Sequence, residues 1–156
     1  MTSYELGLLV HMVGVLLFVG GALVAGVAFE VARTRVRPSE VALLLGVTRI
    51  GAMLVVFGAL LVLGGGLWLA GQLDQFGEAW LLASLGLFVA ALVLGAIGGQ
   101  RPKQARKLAA NLAEEGNEPT PELRGLLGDP LSLAANYTSS LLVLVILVLM
   151  VWQPGR

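Results

Sequence analysis

Residues 7–29 read GLLVHMVGVLLFVGGALVAGVAF, 23 positions without a formal charge, closed by Glu30. A helix needs about 20 residues to cross a hydrocarbon core of about 30 Å. The stretch therefore predicts one membrane crossing. It must be helical, because lipid offers no partners to unpaired backbone groups. Three further uncharged runs follow at 50–70, 79–99 and 131–152. The expected fold class is all-α: an integral membrane four-helix bundle forming a single domain over residues 1–156, with a loop at 100–129 between the last two crossings.

Composition points the same way. Of 156 residues, 57% are hydrophobic and only 13% charged, where a soluble domain has about a quarter charged. The net charge is zero, so nothing in the overall charge favours nucleic acid as a partner. The chain has no cysteine and one histidine, His11. Disulfides, thiolate nucleophiles and multi-histidine zinc sites within one chain fall away together. The first apolar run is followed, not preceded, by basic residues, the reverse of a secretory signal. No phosphate-binding loop, nucleophile with a nearby base or membrane carboxylate pair is found, and no catalytic residue is assigned.

Charge also orients the bundle. Arg33, Arg35, Arg37 and Arg49 flank the first hairpin, and Arg101, Lys103, Arg106, Lys107 and Arg124 lie between the third and fourth runs. Only Arg156 lies opposite. The positive-inside rule then places both basic loops in the cytoplasm and both termini outside, in the cell inner (plasma) membrane. Trp68, Trp80 and Trp152 fall at the expected outer ends of their helices, where tryptophan favours the interface. Stretch 41–70 would measure about 45 Å as one helix, so its first part should project past the membrane. Glu30 and Arg49 then share a depth, and a Glu30–Arg49 ion pair is expected. Pro102 should end or kink the third helix. Residues 103–115 read as a helix with basic residues first and acidic residues last. That order opposes the helix dipole and calls for support from the membrane or a partner. Thr120-Pro121 and Asp129-Pro130 are helix starts.

Small residues are the packing signal. Gly95 and Gly99, Gly21 and Ala25, and Ala22 and Gly26 each stand four apart, a spacing that lets helices approach closely. Packing within the bundle is the first expectation, and a homo-oligomer or a membrane protein partner the second. The lipid bilayer is the one certain neighbour.

His11 is the main candidate for chemistry, because an ionisable group in a membrane run is costly to bury. It reads either as an interfacial residue with a local partner or as an axial ligand to haem iron. Gly14 and Phe18 share its face at i+3 and i+7. Gly14 would leave room for a flat ring and Phe18 could stack on one. Metal handling at the outer leaflet is a third reading. A second polar group, Asn136 and Ser140 with Thr138 and Ser139, lies in the inner half of the last helix. It reads either as interhelical hydrogen bonding or, with Arg49, as an anionic pocket.

The run from His11 through Gly14 and Phe18 to Gly20-Gly21 resembles the first helix of a group of small bacterial membrane proteins. The group includes the copper-resistance D domain, the HemJ-type protoporphyrinogen oxidases and an uncharacterised family of predicted integral membrane proteins. Length, four helices and the basic stretch after the third helix resemble the uncharacterised family most. The resemblance implies a four-helix membrane protein and a role for His11 in binding haem b. The alternative is a cofactor-free structural or assembly protein that acts through helix and loop contacts.

Overall fold

A computed structural model describes residues 2–154; Arg156, the basic residue expected on the outer side, lies outside them. The elements are α1 (Ser3–Thr34), α2 (Pro38–Gln72), α3 (Ala79–Gly98), α4 (Gln100–Glu114), α5 (Pro121–Leu127) and α6 (Pro130–Trp152), and no strand occurs among the described residues. The expected crossings lie in α1, α2, α3 and α6, each contributing to an apolar stretch long enough to span a bilayer. The loop at 100–129 is itself helical. The inside and outside of a water-soluble fold are exchanged. Large apolar side chains such as Leu16, Leu23, Phe57, Leu60 and Leu144 face outward, while Gly14, Gly21, Gly58 and Gly65 are buried. Only a hydrocarbon surround makes that arrangement favourable.

Helix α1 starts in a capping box. The Glu5 amide donates to Thr2 Oγ1 (3.2 Å) and the Thr2 amide to Glu5 Oε2 (2.7 Å), satisfying two otherwise orphaned donors. A short extended turn ends at Pro38, a residue suited to the first turn of a helix, and α2 runs back antiparallel to α1.

The α1–α2 seam follows a seven-residue rule. Gly7, Gly14, Gly21 and Ala28 recur at intervals of seven on α1, with His11, Phe18 and Ala25 between them and Ala32 beyond. On α2 the matching set is Gly51, Gly58 and Gly65. Such spacing keeps one stripe of each helix on its neighbour. Backbones approach closely along it. A Cβ on Gly14 would stand 2.6 Å from the Val62 nitrogen, and one on Gly21 2.7 Å from the Gly51 oxygen. One on Gly58 would run into the Phe18 backbone. Gly26, by contrast, has nothing within 4 Å of its missing Cβ. Of the small pairs expected to pack, Gly21 and Ala25 are in the seam and Gly26 is not.

The second pair is α3 with α6. Phe18, Ala59, Val62, Phe88 and Ile146 form a buried cluster that joins it to the first pair. Gly99 leads α3 into α4 with only a local break, as Pro102 predicts. Helix α4 finds its support within the chain. Ala105 and Ala109 are fully buried against the first turns of α2, with Phe29, Ala32, Val41, Leu45, Leu123 and Leu127 in the same cluster. Gly116 and Asn117 adopt positive φ (126° and 63°) to turn the chain. The Asn117 Oδ1 then accepts from the Ser39 amide (2.8 Å), a donor that Arg37 leaves uncapped. The early part of α2 thus does lie in a helical cap formed with α4 and α5.

Replacing Gly58 by Ala should lower stability by about 1–3 kcal/mol, because the added methyl meets backbone that cannot move aside. Gly26→Ala should be neutral or raise stability by up to about 1 kcal/mol. Thermal unfolding of both variants in one detergent checks the contrast; equal effects would contradict the seam.

Candidate functional site

His11 sits in the α1–α2 seam, four residues after Gly7. Its Nδ1 lies 3.0 Å from the Val62 carbonyl oxygen of α2. A carbonyl can only accept, so Nδ1 carries the proton, and in the neutral ring Nε2 keeps its lone pair. Nε2 has no partner among the described residues and is not enclosed. The ring lies over two glycines of α2. A Cβ on Gly66 would stand 3.1 Å from Nδ1 and 3.2 Å from Cε1, and one on Gly65 would stand 2.7 Å from the His11 amide nitrogen. Gly65 and Gly66, within the run Gly64-Gly65-Gly66, are the counterpart of the histidine on α2.

The expected flat-ring cradle is not there. Gly14 shares the His11 face, but its open side is filled by the backbone of Leu61 and Val62. Phe18 is buried and tilted against Phe88 with ring centroids 5.4 Å apart. Both residues are committed to packing.

The Glu30–Arg49 pair also fails to form. Arg33, one turn along α1, donates to Glu30 Oε2 at 2.8 Å, and the Tyr137 hydroxyl of α6 donates to Oε1 at 2.7 Å. Arg49 is exposed. Its neighbour Thr48 faces α1, where its hydroxyl reaches the Ala25 oxygen at 3.4 Å. One residue further is a turn of about 100°, which carries Arg49 off the seam.

The polar residues of α6 are interhelical ties. Pro102 has no N–H for the carbonyl four residues earlier, which is that of Gly98. The Ser132 hydroxyl (2.5 Å) and the Asn136 amide (3.3 Å) donate to that oxygen instead. Ser139 donates to the Ala91 oxygen at 2.8 Å, while Ser140 turns back to the Asn136 oxygen of its own helix at 3.0 Å. Asn136 and Ser140 therefore do not form an anionic pocket with Arg49. Ser132 was overlooked in the sequence, although its spacing from Asn136 and the proline opposite were both visible.

Three buried polar atoms at the other end of the bundle lack partners among the described residues: Gln75 Nε2, Trp80 Nε1 and Ser84 Oγ. Trp80, in the first turn of α3, is buried against the protein, whereas Trp68 and Trp152 are exposed. No group of three His, Asp or Glu capable of holding a metal occurs among the described residues.

Outward-facing apolar side chains, four spanning stretches and backbone groups tied off between helices define a multi-pass integral membrane protein. The chain belongs to the family of predicted integral membrane proteins DUF2269, whose model matches residues 6–154, covering all four crossings and the helical cap. Of the resemblances expected from the first helix, that to an uncharacterised membrane family is the one that holds. No curated protein and no solved structure matches the chain.

The Gly98 carbonyl gives a test by coupling. Ser132→Ala should cost about 1 kcal/mol, since it strips a donor from a buried oxygen. Pro102→Ala restores a backbone N–H at the right spacing. It should therefore be less damaging in the Ser132→Ala background than in the wild type. A double-mutant cycle of thermal stabilities reads that coupling; strict additivity would contradict it.

Proposed function

We propose that this protein is a cofactor-free assembly protein of the plasma (inner) membrane, acting through its lipid-facing helix surfaces and its helical cap. Its partner is a second copy or another membrane protein. The observation that carries the reading is the occupied side of Gly14. The face beneath His11 that would receive a cofactor is filled by the backbone of α2. The histidine then acts as a clip that fixes α1 against α2 in one register, through the Val62 carbonyl. The positive-inside rule supports a cytoplasmic cap and outer termini, because nine of ten basic residues lie on that side.

One observation favours a second reading. Donation from Nδ1 to a backbone carbonyl is the usual way a ligating imidazole is oriented with Nε2 free. In that reading His11 Nε2 would hold the iron of haem b against the outer surface of the bundle, where the haem would supply one-electron chemistry.

The absorption spectra of detergent-purified wild type and His11→Ala, produced with haem precursor supplied and recorded oxidised and dithionite-reduced, separate the two. The assembly reading expects superimposable spectra without a Soret band. It also expects the wild type, extracted in mild detergent, to have a mass above that of one chain by light scattering. A Soret band lost in His11→Ala would replace it with the haem reading.

A further inference from the structure

A cleft of about 320 Å³ opens at the capped end of the bundle, between the last turn of α1, the start of α2 and the α5 segment. Three arginines from two separate stretches of chain line it: Arg33, Arg35 and Arg124. One carboxylate, Glu30, stands among them. Both of its oxygens are already engaged, one by Arg33 and the other by Tyr137. Arg35 and Arg124 have no carboxylate partner among the described residues and are exposed. The cleft therefore carries a net positive charge that nothing within the described chain neutralises. Its floor is apolar and rigid, with Val41 and Leu123 at 1% and 2% exposure.

The depth of the cleft decides what it meets. Glu30 ends the uncharged run of α1, and Tyr137 lies on the apolar span of α6 with its hydroxyl on Glu30. The cleft thus straddles the boundary between the apolar spans and the charged cap, where lipid headgroups lie. Guanidinium groups present planar forks that match phosphate oxygens. Basic pockets at the ends of spanning helices suit anionic headgroups. The larger cleft, about 470 Å³ between α4 and α5, makes the contrast. There Arg101 approaches Asp129 at 3.6 Å, and Glu122 adds further negative charge, so an anion has no claim on it.

We infer that the Arg33–Arg35–Arg124 cleft binds the phosphate of an anionic phospholipid headgroup. Arg35 and Arg124 grip the phosphate oxygens. Arg33, held by Glu30, fixes the near wall, and the acyl chains run back along the apolar faces of α1 and α6.

Native mass spectrometry of the full chain in detergent, with phosphatidylglycerol or phosphatidylcholine as probe, tests this directly. The wild type should retain phosphatidylglycerol at least about tenfold better than phosphatidylcholine. Arg35→Gln with Arg124→Gln should abolish the preference. Both side chains are exposed and hold no ion pair, so the fold should survive; an unchanged unfolding temperature verifies it. Arg101→Gln with Lys103→Gln removes the same charge from the cap outside the cleft and should leave the preference intact. Equal loss in both double variants, or no loss in the first, would overturn the assignment. Displacement of the lipid by millimolar inorganic phosphate would assign the cleft to a soluble phosphate and overturn the lipid reading.

Discussion

Two helix backbones in contact along a glycine stripe set the terms for the rest of this molecule. In water, α1 and α2 would be driven together by burying large apolar side chains. In lipid that drive is absent, because the acyl chains are as apolar as leucine. What remains is close van der Waals contact and hydrogen bonding, and both need small residues at the seam. The Gly7–Gly14–Gly21 and Gly51–Gly58–Gly65 ladders supply it. The closeness also explains the histidine. Only where α2 carries Gly65 and Gly66 can an imidazole lie near enough for Nδ1 to meet a carbonyl that belongs to the neighbouring helix.

The same logic governs the second pair. Pro102 releases the Gly98 carbonyl from its helix, and a carbonyl buried between helices without a partner is costly. Helix α6 answers with Ser132 and Asn136, so the break between α3 and α4 and the docking of α6 share one carbonyl. The cap grows from that break. Once α4 departs at Gly99, Ala105 and Ala109 come down on the extended start of α2, and α5 closes the cluster with Leu123 and Leu127.

Much of the fold was legible because it depends on patterns that run along the chain. The four uncharged runs, the Pro102 break and the helix starts at Thr120 and Asp129 are local signals, and each corresponds to an observed feature. The seam was equally available, since seven-residue spacing of glycine needs only counting. The four-residue pairs are the weaker signal, since one of them includes Gly26, whose missing Cβ would meet nothing within 4 Å. Partner choice was not legible. Depth alone suggested Glu30 with Arg49, but rotation about the helix decides contact. Arg33 and Tyr137 hold Glu30, while Arg49 points away. Gly14 and Phe18 were correctly placed on the His11 face, yet a helical wheel does not say whether that face meets a ligand or a neighbouring helix.

The clamp on His11 is the most direct readout of the seam, and the chain has only one histidine to observe. Protein labelled with ¹⁵N-histidine, reconstituted in bilayers and examined by solid-state NMR, gives two ring-nitrogen signals that need no assignment to sequence. The account predicts a fixed ring with a proton on Nδ1, donated to the Val62 carbonyl. A ring protonated at Nε2 alone, or exchanging between tautomers, would mean that α2 does not hold it, and the seam as described would be wrong.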